Sequence, residues 1–318
     1  MTTYTEFYRL RERPFSLAPD LHPYLTAQSH RRAVALLLDV LDRGEAVVLV
    51  TGEAGVGKTT LVRVLESRLG ARRVLVPRLP AATRTGEALL EALGAALGLE
   101  QPGGSTARAI ELALRARAPE GGALLLVLDE AHRLAPDVLD ALRPIVAPDG
   151  AAGPLVGLLL VGRPELRDRL ELPALGWLRE RLVASLPLLP LETGEVRPYV
   201  EHRLARVGWQ NDPRLLPDLF PALRLATGGL PRRINQLMTR LLVLAALDQR
   251  HEIGAAEVAE VADEFDASPS GAPIRLEPER LLAELERLDL TPVPLDLRAT
   301  PADRGASVGR PQPGPGHA

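Results

Sequence analysis

The sequence predicts an α/β fold in which helices cover both faces of a parallel sheet, followed by a smaller all-helical domain. Over residues 1–190, apolar runs of strand length alternate with segments of helical periodicity, which is typical of a parallel sheet buried on both sides. Over residues 191–266, helical segments follow one another and no strand-like run interrupts them. Residues 267–318 are expected to form a linker, one charged amphipathic helix and a disordered proline-rich tail.

Each predicted element follows from its apolar pattern and from the residues that end it. Runs rich in valine and leucine predict strands at residues 46–51, 74–76, 123–128, 155–161 and 183–186. Helical periodicity predicts helices at 27–43, 85–97, 106–117, 136–146, 192–207, 213–226, 231–248, 254–265 and 276–290. One further helix follows a glycine-rich turn and ends at residue 69. Thr26 is a candidate cap and Gly44 a stop for the first of these helices, and Pro136 opens another.

Composition excludes several classes of site. The 318 residues include no cysteine, so disulfides, thiolate metal sites and cysteine nucleophiles are excluded. A formal net charge of −3 gives no overall attraction to nucleic acid or to an anionic membrane. Because there is no apolar run of membrane-spanning length and no apolar signal core near the N-terminus, we expect no integral membrane segment and a cytoplasmic location.

The basic residues are 37 arginines and a single lysine, Lys58. This lysine lies in a segment that fits GxxxxGK[ST], between a predicted buried strand and a predicted helix. Glycines allow the backbone N–H groups to surround an anion at the helix N-terminus, Lys58 adds a charge for the β- and γ-phosphates, and the Thr59 hydroxyl reaches Mg²⁺. The motif predicts an ATP-binding P-loop NTPase with a three-layer sandwich. The expected nucleotide contacts in this loop are Gly52, Glu53, Ala54, Gly55, Val56, Gly57, Lys58, Thr59 and Thr60.

An acidic pair follows the third predicted strand as Asp129-Glu130-Ala131-His132. A carboxylate at the carboxyl end of a buried strand suits a Mg²⁺ ligand, which assigns Asp129 to the metal and nucleotide together with Thr59. Glu130 can polarise a water molecule for attack on the γ-phosphate. Alone, such a pair often caps the next helix, but the P-loop favours the functional interpretation.

The P-loop, the acidic pair and the trailing helices together resemble an AAA+ ATPase. More narrowly, the chain resembles ATPases of the general secretion pathway protein A type, to which ATP-binding proteins of bacterial transposition systems are related. The segments that carry this resemblance are FYRLR at 7–11, PFSLAPD at 14–20, VGRPEL at 161–166 and GGLPRRIN at 228–235. It covers about residues 4–265 and implies ATP hydrolysis with Mg²⁺ and self-association of subunits.

The resemblance implies roles for three arginines. Arg232 matches the sensor 2 arginine that reaches the γ-phosphate of its own subunit, with Arg233 as the alternative. Arg181 matches the arginine finger that completes the site of a neighbouring subunit; a solvated arginine on a helix surface is the alternative. Arg163 stands where the family usually has a glutamine that orients the attacking water. Because arginine cannot accept a hydrogen bond, we expect Arg163 to bind phosphate or a partner and hydrolysis to be slow.

The N-terminal segment of such proteins lies near the adenine. Phe15, Leu17 and Tyr24 could contact the base, although Phe15 is equally compatible with a core position.

Three functions are compatible with these features. The first is an ATPase that assembles or remodels a partner complex, and the second is a nucleotide-gated adaptor with weak hydrolysis, which Arg163 motivates. The third is a DNA-associated regulator, for which the 14 basic and 10 acidic residues over 163–250 give modest support. The client protein, the pathway and the ring size stay open.

Overall fold

The computed structural model describes residues 3–16, 28–42, 47–69, 74–77, 83–99, 107–117, 124–146 and 156–266. The candidate cap Thr26, the stop Gly44, Leu17, Tyr24 and the predicted linker, helix and tail at 267–318 lie outside these residues.

A five-stranded parallel sheet forms the centre of the first part of the chain, in the order β2-β3-β4-β1-β5. The strands are β1 (Val47–Thr51), β2 (Val74–Leu75), β3 (Leu124–Leu128), β4 (Val156–Gly162) and β5 (Leu182–Pro187). Every residue of β1, β3 and β4 is buried because helices cover both faces, which is why continuous apolar runs predicted them. In β5, at one edge, half-buried and exposed residues alternate.

Helices pack on both faces of the sheet. On one face lie α2 (Gln28–Asp42) and α3 (Lys58–Leu69). On the other face lie α4 (Gly86–Ala96), α5 (Ala107–Arg117), α6 (Pro136–Asp140), α7 (Arg143–Val146), α8 (Glu165–Leu170) and α9 (Gly176–Glu180). The single helix predicted at 136–146 is wrong, since α6 ends at Asp140. Pro144 has no N–H to donate to the Asp140 carbonyl and its ring crowds that group, so the helix breaks there.

The last part of the chain forms a second core from four helices, α10 (Thr193–Arg206), α11 (Leu219–Thr227), α12 (Pro231–Leu247) and α13 (Ala255–Asp266). The helix predicted from residue 213 starts only at Leu219. The expectation that no strand interrupts these helices is also wrong, because β6 (Arg214–Leu215) pairs in parallel with β7 (Glu252–Ile253). Each of these two strands consists of one charged and one apolar residue, so neither contains the apolar run that predicted the equally short β2.

The N-terminal segment packs on this helical core rather than on the sheet. It begins with a short helix, α1 (Tyr4–Phe7), that the sequence did not predict. Tyr8 and Phe15 are buried among the helices, so Phe15 occupies the core position left open above. The buried Arg203 of α10 donates from Nε to the Pro14 carbonyl at 2.9 Å and from Nη2 to the Ser16 carbonyl at 3.0 Å. The segment is therefore held on the helices by hydrogen bonds from the Arg203 side chain to its backbone carbonyls as well as by apolar contact.

No helix in the described ranges combines the length and the apolarity needed to cross a lipid bilayer.

Candidate active site

The loop between β1 and α3 has a backbone that requires glycine. Gly55 and Gly57 have φ values of +85° and +113°, in the left-handed region that side chains disfavour. At Gly52, a Cβ atom would lie 2.9 Å from the carbonyl oxygen of Leu188. The loop therefore curls tightly and delivers the chain to the N-terminus of α3, where the first N–H groups lack partners within the helix and attract anions.

Lys58 is the first residue of α3 and is only 6% exposed. Its Nζ donates to the carbonyl oxygens of Gly52 at 2.8 Å and Glu53 at 2.9 Å. Burial lowers the pKa of Lys58, and the nearby carboxylates of Glu130 and Asp129 oppose that shift. The lysine is thus held against the loop that is predicted to bind phosphate, and it is close enough to the acidic pair for their charges to affect its pKa.

The predicted metal ligands meet at the edge formed by the carboxyl ends of the strands. The Thr59 hydroxyl, at the start of α3, donates to Oδ2 of Asp129, directly after β3, at 3.0 Å. The two residues meet although β4 lies between β1, which leads into the loop before α3, and β3. The other carboxylate oxygen, Oδ1, accepts from the backbone N–H of Glu130 at 2.8 Å. An oxygen pair at this position is the donor set that Mg²⁺ accepts, so these residues fit the ion that the motif predicts.

Glu130 has an unusual backbone conformation, with a φ of +56°. Non-glycine residues rarely adopt the left-handed region, and those that do are concentrated at functional sites. Its half-exposed carboxylate lies 3.4 Å from Nε of Arg133 and 3.9 Å from Nε2 of His132. The carboxylate is therefore open to solvent on the same edge as Asp129.

Arg163 follows β4 and is exposed at the same edge, since Gly162 pairs with Thr51 just before the loop. Its charge lowers the pKa of Lys58, for which burial is the larger cause. It also adds to the larger effect of burial in lowering the pKa of His132. His132 packs against the end of β4, where a Cβ atom on Gly162 would lie 3.3 Å from its Cβ. Sequence reasoning did not single out His132, although its place two residues after Glu130 was a usable signal.

The start of α12 lies directly against the loop. The Arg232 backbone N–H donates to the Gly55 carbonyl at 3.2 Å, and a Cβ atom on Gly55 would lie 2.8 Å from the Cβ of Arg232. The side chain of Arg232 is exposed, whereas that of Arg233 is half-buried. Of the two alternatives for the sensing arginine, this geometry favours Arg232.

Arg181 lies at the opposite end of the strands. Its carbonyl oxygen accepts from the backbone N–H of Val47, the first residue of β1, at 3.1 Å. The loop begins at Gly52, five residues after Val47 and hence about 16 Å away at the rise of a strand. The structure therefore does not bring Arg181 to the site of its own chain.

One buried contact to the loop had no motif to reveal it. His30 of α2 is 1% exposed, and its Nε2 lies 2.8 Å from the carbonyl oxygen of Val56. A contact between a side chain and a backbone carbonyl leaves no pattern of residue types in the sequence.

Fold and site together define a class of protein. A parallel sheet with a glycine loop and a buried lysine between β1 and α3, and with an acidic pair after β3, is the arrangement of a P-loop NTPase. The helical part adds a contact to this loop through the start of its third helix, α12.

Comparison with known proteins gives the same result. Residues 41–170 match the family described as AAA domain. Over 276 residues the chain is 32% identical to General secretion pathway protein A of Aeromonas hydrophila, a match covering 82% of this chain and 49% of that protein. The chain thus spans about half the length of this relative. Residues 41–170 thus match an AAA domain, and the predicted resemblance to AAA+ ATPases of the general secretion pathway protein A type is confirmed.

Solved structures share the fold at low sequence identity. Cdc6p from Pyrobaculum aerophilum gives a TM-score of 0.60 at 18% identity, over 88% of this chain and 79% of that one. The Aeropyrum pernix ORC1 protein in complex with DNA gives 0.56 at 19%, over 88% of both chains. The Thermotoga maritima RuvB Holliday junction branch migration motor gives 0.51 at 20%, over 77% and 71%. The predicted fold class is confirmed.

Proposed function

We propose that the chain binds ATP with Mg²⁺ at this edge of the sheet and hydrolyses it, and that hydrolysis drives assembly or remodelling of a partner complex. The observation that carries the proposal is the 3.0 Å contact between Thr59 and Asp129, made beside the buried Lys58. Three chemically matched residues from two separate strand ends meet where a nucleotide phosphate would lie.

The residues divide the work of binding. The N–H groups of residues 52–60 and the Lys58 ammonium hold the phosphates. When the phosphates bind, the lysine exchanges its two hydrogen bonds to loop carbonyls for contacts with phosphate oxygens. Thr59 and Asp129 hold Mg²⁺, which neutralises charge on the phosphate oxygens when bound. Glu130 accepts a hydrogen bond from the attacking water and polarises it.

The arginines act on the charge that develops at the γ-phosphate. Arg163 and Arg232 approach it from this chain, and Arg181 serves the site of a second copy in an ATP-dependent oligomer. Because Arg163 donates hydrogen bonds and cannot accept one, positioning of the water falls to Glu130 and turnover is slow. We place this activity in the cytoplasm, where ATP is available.

The test compares Glu130→Gln with the wild-type chain. The glutamine amide cannot act as a general base toward water, so phosphate release is expected to fall at least about 100-fold while ATP affinity is retained. Glu171→Gln is the matched control, since Glu171 is exposed and pairs with Arg179 away from the loop. Unchanged phosphate release in Glu130→Gln would contradict the proposed hydrolysis.

A second candidate function is a nucleotide-gated adaptor that associates on binding ATP and hydrolyses little, and Arg163 is the observation that favours it. Wild-type turnover close to background, together with ATP-dependent association in light scattering, would favour the adaptor over the ATPase. DNA is a further possible partner, because the ORC1 protein of similar fold was solved with DNA. A steep salt dependence of DNA retention in the presence of ATP would support it.

A further inference from the structure

Two neighbouring carbonyls in the middle of the phosphate-binding loop are held from outside the loop. The Gly55 carbonyl accepts from the backbone N–H of Arg232, at the start of α12. The next carbonyl, that of Val56, lies 2.8 Å from Nε2 of His30, the third residue of α2. The loop is therefore fastened on one side by the helical part of the chain and on the other by a buried imidazole.

The direction of the imidazole bond follows from its surroundings. Burial lowers the pKa of His30, so the ring is neutral near pH 7 and carries a single N–H. A carbonyl oxygen can only accept, which places that hydrogen on Nε2. Nδ1 then carries no hydrogen and accepts from the Ser29 hydroxyl, whose Oγ lies 3.2 Å away.

The same turn of α2 also contacts the helical part of the chain. The Gln28 backbone N–H donates to Oε1 of Glu195, which lies in the first turn of α10. The other oxygen of that carboxylate, Oε2, accepts from the Glu192 N–H at 3.0 Å and caps its own helix. Loop, α2 and α10 are thus joined through residues 28–30.

The loop has reason to need this support. Gly55 and Gly57, on either side of Val56, both have positive φ values and have no side chain to restrict them. Glycine loses more conformational freedom than any other residue when it is fixed, and a ligand that must order a loop binds less tightly. A buried hydrogen bond at the residue between the two glycines fixes the loop before the phosphates arrive.

We infer that His30 is a positioning residue for the nucleotide site. Its Nε2–H bond to the Val56 carbonyl holds the loop in the shape that binds phosphate, and the bond from the neighbouring Gln28 N–H to Glu195 ties the same turn of α2 to the helical part. The inference rests on the proposed binding of ATP and adds a residue that itself touches no nucleotide.

Three substitutions separate the hydrogen bond from packing. His30→Phe keeps a ring but removes the donor, His30→Gln keeps a donor at a similar reach, and His30→Asn carries an amide that is too short to reach Val56. The dissociation constant for ATP is measured by titration calorimetry, and the midpoint of unfolding is measured without nucleotide. Val34→Ala, in the same helix and in the core under the sheet, is the control for destabilisation alone.

We expect His30→Phe and His30→Asn to bind ATP about tenfold more weakly than the wild-type chain, because each leaves a buried carbonyl without a donor. His30→Gln should restore most of the affinity, and Val34→Ala should lower the midpoint while leaving the affinity unchanged. Wild-type affinity in His30→Phe overturns the inference, as does equal affinity of His30→Gln and His30→Asn. If His30→Phe does not fold, the comparison of His30→Gln with His30→Asn remains the test. A wild-type chain that binds no ATP overturns the proposed function as well, so the two failures are distinguishable.

Discussion

The two ends of the parallel strands hold their charged side chains in different ways. At the carboxyl end, Lys58 is buried and donates two hydrogen bonds, and Thr59 donates to Asp129. At the amino end, Arg181 is exposed, and its guanidinium makes no hydrogen bond or ion pair with any residue in the described part of the chain. A buried charge must be partnered, whereas an exposed one is free to meet another molecule. The carboxyl end, with Lys58, Thr59 and Asp129, is therefore the prepared end, whereas the amino end carries a cation that no residue in the described ranges partners.

The largest effect should come from removing the charge at the prepared end. Lys58→Ala is expected to weaken ATP binding at least about 100-fold, because the ammonium is the one cation buried within the phosphate loop. Calorimetry measures the affinity. Arg63→Ala, on the exposed side of the same helix, is the matched control and should bind ATP normally. Equal affinities in the two variants would remove the distinction between the ends.

The exposed end is tested by complementation between chains. Arg181→Ala should keep ATP affinity but lose turnover about 100-fold, since an arginine finger stabilises transition-state charge. Mixing it with Glu130→Gln should restore part of the activity, because mixed assemblies join an intact Glu130 to an intact Arg181. Arg179→Ala, two residues earlier and paired with Glu171, should behave as wild type. Activity of the mixture that never exceeds the sum of its parts would argue against a shared site.

A smaller effect is expected from Arg163, which lies at the prepared end and stands where the resemblance in sequence implies a glutamine. Arg163→Gln restores an amide that can accept from water, so turnover should rise about fivefold with little change in ATP affinity. Steady-state phosphate release measures it, with Arg167→Gln on exposed α8 as the control. A fall in turnover would mean that the loss of the Arg163 charge from the γ-phosphate outweighs any gain from an amide that orients the water.

Much of this arrangement could be predicted from the sequence, because its signals are local. The glycine spacing around Lys58 predicts the loop, and the rule that parallel strands end at one edge predicts that Thr59 and Asp129 meet. What could not be predicted depends on contacts between distant segments. The bond from His30 joins a side chain to a carbonyl, and the burial of Phe15 under α10 depends on tertiary packing.

The short elements were missed for a different reason. The β6–β7 pair has two residues in each strand, and its partners are separated by two helices in the chain. No window of sequence contains enough of it to show a period. By contrast, the break at Pro144 has a local cause that could have been recognised, since proline at that position removes a helical donor.

The smallest expected effect concerns stability, and it tests whether the prepared end is held by a neutral histidine. Burial lowers the pKa of His30 in the folded chain, while the unfolded chain keeps the ordinary value near 6.5. The hydrogen bond to the Val56 carbonyl and, to a smaller extent, the carboxylate of Glu195 oppose this shift only in part. As pH falls through about 6.5, the unfolded state therefore binds more protons than the folded state, and the free energy of unfolding decreases. The slope from this one group is at most about 1.4 kcal/mol per pH unit and vanishes above the unfolded pKa.

Urea unfolding followed by tryptophan fluorescence at several pH values between 5 and 8 measures the free energy of unfolding. Its dependence on pH should be shallower in His30→Gln than in the wild-type chain, because the variant has no group to protonate there. Parallel curves for the two proteins would mean that His30 takes up its proton equally in both states, and hence that its bond to the Val56 carbonyl does not depend on a buried neutral ring.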